Sequence, residues 1–69
     1  MIEVSPNPAS DVININGNFS KAVLYATSGQ VVFETTKNQI SLTNVAGGIY
    51  YLQVTTDAGM VTRKVIIRK

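Results

Sequence analysis

The chain has 69 residues, of which 45% are hydrophobic and 14% are charged. This composition is too apolar for a disordered tail, and the length allows one small domain that buries about 60% of its unfolded surface. Cysteine and histidine are both absent, which excludes disulfides, thiolate metal sites and the usual general bases and thiol nucleophiles. We therefore expect a single folded domain over residues 1–69, with residues 1–4 as a lead-in or linker remnant, and neither catalytic group nor cofactor.

The net charge of +2 is concentrated at one end, where four of the six basic residues lie within the final seven positions: Arg63, Lys64, Arg68 and Lys69. This balance is too weak for a nucleic-acid binder, which needs a basic face with stacking aromatic residues. Apolar runs such as Val65–Ile67 are too short to span or insert into a bilayer. The start of the chain, Met1–Glu3, lacks the basic and apolar parts of a secretory signal, so we expect an N terminus without a targeting segment.

Both prolines lie in the segment "SPNP", residues 5–8, just ahead of the first long alternating stretch. Proline fixes its own φ and pushes the preceding residue toward extended conformations, so this segment is predicted to be stiff and extended. Proline cannot donate a ladder hydrogen bond, which rules out a central strand. We expect the segment at a sheet edge or at a junction with upstream sequence.

Apolar residues recur with a period of two in short runs, which predicts an all-β chain. The predicted strands are Ile2–Val4, Val12–Asn16, Lys21–Ala26, Gln30–Thr36, Gln39–Leu42, Ile49–Thr55 and Met60–Ile67. Between them lie turn signals, each expected to join antiparallel neighbours: Asn16-Gly17, Ser28-Gly29, Lys37-Asn38 and the three-residue turn Asp57-Ala58-Gly59.

Successive side chains of a strand point to opposite faces, so the alternation predicts which residues form the core. The predicted core residues are Ile13 and Ile15 in the second strand and Tyr50, Leu52 and Val54 in the sixth. The third strand is apolar on both faces, with Ala22, Leu24 and Ala26 on one and Val23 and Tyr25 on the other, and we place Leu24 in the core. In the last strand Val61, Val65 and Ile67 share a face with Arg63. A charged residue on that face indicates an edge strand or a bulge near Arg63-Lys64.

Seven short antiparallel strands in so few residues fit a small immunoglobulin-like β-sandwich. The cysteine pair and tryptophan of true immunoglobulin domains are absent, so only the architecture carries over. Tyr50 follows Gly47-Gly48 at the start of the penultimate strand, the position at which such sandwiches keep a corner tyrosine.

The acidic residues are scattered singly, at Glu3, Asp11, Glu34 and Asp57, and no close pair suggests a glycosidase. Calcium binding at Asp11 or Asp57 would need more oxygen ligands, and turn chemistry explains both residues better. Exposed tyrosines such as Tyr25 or Tyr51 could form a sugar-binding platform. A small carbohydrate-binding or adhesion module, or a structural spacer domain, therefore stays open as an alternative.

The motifs taken in order resemble the type IX secretion (Por secretion) C-terminal sorting domain, type A, of the Bacteroidetes, over essentially the whole chain. The matching residues are Pro6-Asn7-Pro8-Ala9, then Tyr25, Gly29 and Val31-Val32, then Gly48-Ile49-Tyr50, and finally Lys64-Val65-Ile66-Ile67 followed by Arg68 and Lys69. Ala26 departs from the pattern, which has an acidic or amide residue there.

This resemblance implies a secretion signal at the tail of a larger cargo protein. The cargo would cross the inner membrane by its own signal peptide and fold in the periplasm. The outer-membrane translocon would then recognise the tail, and a sortase-like peptidase would remove it, leaving the cargo in the medium or attached to anionic lipopolysaccharide at the cell surface. Residues 5–8 would mark the boundary between cargo linker and folded signal.

The final segment, Met60–Lys69, is apolar on one face and basic. We predict that it is an edge strand read by strand addition, with Lys64, Arg68 and Lys69 providing electrostatic steering. The alternative is that this strand merely completes the sandwich.

Overall fold

The computed structural model describes residues 2–5 and 10–69, and in these ranges it has strands and no helix. The strands are β1 (Glu3–Ser5), β2 (Val12–Asn16), β3 (Lys21–Ala26), β4 (Val31–Thr35), β5 (Gln39–Ser41), β6 (Gly48–Thr56) and β7 (Gly59–Ile67). The predicted strands are all present, and each observed strand end agrees with the predicted end or differs from it by one residue. The motif residues Pro6, Asn7 and Pro8 lie outside the described residues.

The strands form two antiparallel sheets, one of order β1-β2-β5 and one of order β4-β3-β6-β7. Consecutive strands pair at β1–β2, β3–β4 and β6–β7, whereas β2–β5 and β3–β6 are pairs between strands distant in the sequence. Such long-range pairing is typical of a Greek-key sandwich. The prediction of an immunoglobulin-like antiparallel sandwich of seven short strands is confirmed.

The core lies between the two sheets and is built from alternating residues of β2, β3, β5, β6 and β7, whereas β1 and β4 contribute the half-buried Val4 and Phe33. Its fully buried large side chains are Ile13, Ile15, Leu24, Ile40, Leu42, Leu52, Val54 and Val65. The predicted core positions are therefore confirmed, with Tyr50 half-buried and packed against this cluster. Burial of each such side chain stabilises the fold by about 1.5–3 kcal/mol.

Val23 is buried although it does not belong to this core. It lies on the outer face of the four-stranded sheet, between Glu34 on β4 and Gln53 on β6. A residue on a central strand is covered by its neighbours on both sides, so its burial does not require a second layer.

Two of the four turn predictions are wrong about what the turns connect. Asn16-Gly17 lies between β2 and β3, and Lys37-Asn38 lies between β4 and β5, and in both cases the two strands belong to different sheets. Glycine and asparagine permit the sharp change of direction needed by a hairpin and by a crossing between sheets alike. The turn signal therefore could not distinguish the two connections.

The other two turns are hairpins. Gly29 lies between β3 and β4 with φ +90°. At the β6–β7 hairpin only Asp57 and Ala58 lie between the paired residues Thr56 and Gly59, one residue fewer than the predicted turn, because Gly59 itself opens β7.

The final strand lies at the edge of the four-stranded sheet. An edge position is one of the two explanations that the sequence offers for a charged Arg63 on the apolar face. Its register with β6 is continuous from Gly59 to Ile67, so no bulge occurs near Arg63-Lys64. The irregularity of this sheet lies instead between Leu24 and Tyr25, where β4 carries an extra residue. Arg63 remains exposed because an edge strand leaves its side chain access to solvent.

Candidate functional site

Two of the sequence motifs lie directly against each other. Gly48 at the start of β6 pairs with Ile67, and Tyr50 pairs with Val65. Cross-strand neighbours in an antiparallel pair have Cβ atoms about 5 Å apart and stabilise each other. The motif Gly48-Ile49-Tyr50 and the final motif of β7 therefore form one structural unit at one end of the four-stranded sheet.

Tyr50 fixes this end of the sandwich through its phenol. The Tyr50 hydroxyl donates a hydrogen bond to the carbonyl oxygen of Ala46 at 2.8 Å, four residues upstream. This is the bond of a tyrosine corner, as the position of Tyr50 predicted. It holds the connection between β5 and β6 against the start of β6.

Gly47 is needed here because the chain passes very close to the end of β7. A Cβ at Gly47 would lie 3.3 Å from the carbonyl oxygen of Ile67, closer than ordinary van der Waals contact. Gly48 has φ +154°, which side chains of L-residues rarely adopt. The pair Gly47-Gly48 therefore lets the β5–β6 connection meet the final motif.

Gly29 belongs to the same end of the sheet. Its backbone N–H donates to the carbonyl of Ala26 at 2.9 Å, and the N–H of Ala26 donates to the carbonyl of Gln30 at 2.9 Å. Ala26 in turn pairs with Tyr50. The bonds that close the turn at residue 26 use its main chain and not its side chain, so alanine is compatible with the turn at the position where the resemblance has a polar residue.

The final motif alternates between core and surface. Val65 and Ile67 are 1% and 2% exposed, whereas Lys64 and Ile66 lie on the outer face. Arg68 and Lys69 follow the strand and are exposed. This motif is thus both a part of the core and a part of the surface, and the two roles belong to different residues.

Lys69 has a structural contact that the sequence did not indicate. Its ammonium donates a hydrogen bond to the carbonyl of Leu42, in the segment after β5. The same carbonyl accepts the N–H of Val45 at 3.1 Å, and the N–H of Leu42 donates to the carbonyl of Asp11 at 2.8 Å. A main-chain carbonyl is available at every residue, so no sequence signal marks Leu42 as the acceptor.

The structure thus gathers the described motif residues, Gly29, Gly48, Tyr50 and Lys64–Lys69, at one end of the four-stranded sheet. No histidine or cysteine occurs in the chain, and within residues 2–5 and 10–69 no three acidic side chains are grouped as a metal site would need. The chemistry available at this end is that of a surface with apolar, aromatic and cationic groups. Such a surface suits recognition by another protein.

A family model described as the secretion system C-terminal sorting domain matches residues 3–68. The chain belongs to this family. A comparison with curated proteins found no significant match. The sorting domain is the C-terminal signal that directs a cargo protein through the type IX secretion system to the cell surface or the medium.

The sorting domain lies C-terminal to its cargo and is recognised by the type IX secretion machinery. Its family is one of signals and not of enzymes. Within the described residues, no helix is long and apolar enough to span a membrane. The comparison gives no support to a carbohydrate-binding or adhesion module.

Proposed function

We propose that the secretion machinery reads this sorting domain in its folded state, after the cargo has crossed the inner membrane by a signal peptide and folded in the periplasm. The observation that carries the proposal is the burial of Val65 and Ile67 inside the sandwich, between exposed residues of the same motif. An unfolded tail would present all these side chains in one flexible segment. Only the folded domain separates Lys64 and Ile66 on the surface from Val65 and Ile67 in the core.

Recognition in this proposal includes β7, the edge strand next to β6. A partner strand could add to the outer edge of β7 around Arg63, leaving the hairpin end at Gly59 and Met60 uncovered, and main-chain bonds would supply its affinity. The guanidinium of Arg63 lies 3.4 Å from the carbonyl of Thr62, a weak contact that a partner strand could displace. Lys64 and Arg68 would steer a partner of opposite charge toward this edge.

The test fuses the chain to the C terminus of a periplasm-targeted fluorescent protein in a bacterium with type IX secretion. Export of fluorescence should require both the translocon and an intact domain. Deletion of Val65–Lys69 should trap the fusion, but it also removes two core residues and should unfold the domain.

A variant with Lys64→Gln and Arg68→Gln separates folding from recognition, because both side chains are exposed. We expect its circular dichroism to match the parent and its export to slow, with the difference from the parent largest at low ionic strength, where the charges are least screened. Lys37→Gln, an exposed lysine in the β4–β5 connection, is the matched control. Equal export of all three folded proteins would contradict the role of the basic edge.

We further propose that a sortase-like peptidase removes the domain after transport, which leaves the cargo released or attached to anionic lipopolysaccharide. Ile2 is 5% exposed and Glu3–Ser5 pairs with β2, so the chain is already folded at these residues. A peptidase needs an accessible, extended substrate, which favours a cut on the N-terminal side of Ile2. Mass spectrometry of the C terminus of the secreted cargo would locate the cut, and a cut on the C-terminal side of Ile2 would contradict this placement.

A further inference from the structure

The outer face of the four-stranded sheet carries an apolar patch at the end where the motifs meet. Val31 on β4, Tyr25 on β3 and Tyr51 on β6 pair across adjacent strands and form one row. Ile49 and Ile66 pair in the neighbouring row. The exposed fractions are 52% for Val31, 45% for Ile49, 40% for Tyr51 and 37% for Ile66. We call these five residues the outer apolar patch.

The alternation of the strands requires these side chains to point away from the core. Leu24 and Leu52, the neighbours of Tyr25 and Tyr51 along their strands, are 0% exposed and face the other sheet. The Tyr25 hydroxyl lies 3.5 Å from Oε1 of Gln53, another residue of the outer face. The register shift between Leu24 and Tyr25 places Val31 opposite Tyr25. The bulge therefore extends the patch onto β4.

The other end of the same face is largely polar. Its cross-strand rows hold Glu34, Gln53 and Thr62, and then Lys21, Thr55 and Met60. Nζ of Lys21 lies 3.6 Å from Oε2 of Glu34 in an exposed ion pair. Val23, between Glu34 and Gln53, is buried by its neighbours, so Met60 is the one exposed large apolar side chain of these rows, at 64%. The apolar surface is thus concentrated at the motif end.

The charges around the patch have one sign. Lys64 pairs with Tyr51 at its margin, and Arg68 follows β7 at the same end. The carboxylate of Glu34 lies beside Lys21, and Asp57 is in the hairpin at the opposite end of the sheet. Among the described residues, no acidic side chain belongs to the rows of the patch. A complementary partner would surround an apolar surface with carboxylates.

The cargo joins the domain at the opposite end of the sandwich. Glu3 pairs with Asn16, at the end of β2 that leads into Lys21. Lys21 pairs with Thr55, beside the β6–β7 hairpin. The patch lies at the other ends of β6 and β7, and the longest dimension of the domain is 32 Å. A partner can therefore cover the patch while the cargo is attached at the far end.

We propose that the outer apolar patch is the docking surface for a component of the type IX machinery that presents an apolar surface with an acidic margin. This inference rests on the proposal that the machinery reads the folded domain. It differs from the edge of β7, because docking here uses side chains of β3, β4 and β6 as well. Exposed tyrosine and isoleucine side chains clustered on a rigid sheet supply buried apolar area at low entropic cost.

The experiment uses the fluorescent fusion with the double substitution Ile49→Thr and Tyr51→Thr, which removes apolar surface and keeps side chains that favour strands. Met60→Thr is the matched control, because Met60 is exposed on the same face at the far end. We expect export of the double variant to fall by about tenfold or more, equivalent to 1.4 kcal/mol of binding free energy. The Met60→Thr fusion should be exported as the parent is.

A photo-crosslinking residue at position 51 or at position 60 tests contact without destabilising substitutions. In secreting cells, adducts with a translocon component should form from position 51 and not from position 60. Equal export of a folded double variant, or adducts from position 60 alone, would overturn the proposal. So would adducts from position 51 that join two copies of the fusion and contain no translocon protein.

Export of the parent fusion distinguishes a failure of the docking surface from a failure of folded-state recognition. If the parent fusion stays in the periplasm while folded, the proposed reading of the folded domain fails as well. If the parent and the double variant are both exported, only the docking surface is wrong.

Discussion

The ammonium of Lys69 donates a hydrogen bond to the carbonyl of Leu42, so the segment after β7 is tied to the segment after β5. These segments belong to different sheets, because β7 lies in the four-stranded sheet and β5 in the three-stranded one. The bond thus joins the two layers at the end where the motif residues meet. The stability of the motif end should depend on this side chain as well as on the core.

Lys69→Met should lower the free energy of unfolding by about 1 kcal/mol, because a charge-assisted hydrogen bond is lost while the apolar stem is kept. Leu42 retains its bond from the Val45 N–H, so the carbonyl is not left unsatisfied. Urea unfolding measures the change. Arg68→Met is the control and should leave the midpoint unchanged, and an equal effect of both variants would contradict the contact.

Tyr50→Phe should destabilise the domain by about 1 kcal/mol, since the ring still packs against the core but the hydroxyl no longer bonds to Ala46. Tyr51→Phe is a matched control on the adjacent, exposed tyrosine and should have almost no effect on the thermal midpoint. Equal midpoints for Tyr50→Phe and the parent would show that the corner bond contributes nothing.

Ile67→Ala should cost about 2–5 kcal/mol, because the side chain is 2% exposed and its removal leaves a cavity. A domain of this size has a total stability of only about 3–10 kcal/mol, so the variant should lose a large share of its stability and unfold at a markedly lower temperature. Ile66→Ala, at the neighbouring residue on the outer face, should keep the unfolding midpoint and reduce export. Circular dichroism and export assays together make this comparison, and a reversed pattern would contradict the assigned faces.

Gly29→Ala should lower the free energy of unfolding by about 1 kcal/mol through backbone strain alone. The residue has φ +90°, and a Cβ added there would meet no atom within 4 Å. Gly29→Asn should cost less, because asparagine tolerates positive φ better than alanine does. Denaturant unfolding of the three proteins checks the order, and a stable alanine variant would show that the turn adopts another conformation.

Much of the fold could be predicted because strand periodicity is a local property. The alternation in Val12–Asn16 and in β6 marked Ile13, Ile15, Leu52 and Val54 as core, and the charge of Arg63 marked β7 as an edge. The same motifs, with their order and spacing, indicated the sorting family that the comparison identified. The positions of Gly48 and Tyr50 likewise predicted the corner.

The remaining features depend on contacts between residues far apart in the sequence. Asn16-Gly17 and Lys37-Asn38 connect different sheets, although each carries the same turn signal as a hairpin. The outer apolar patch joins residues of β3, β4, β6 and β7, and its extension to Val31 depends on a bulge. The acceptor of Lys69 is a main-chain carbonyl, which every residue has. By itself the sequence determined the strands, their faces and the family, because these follow from local patterns, whereas the tertiary structure alone decided which distant residues share a surface.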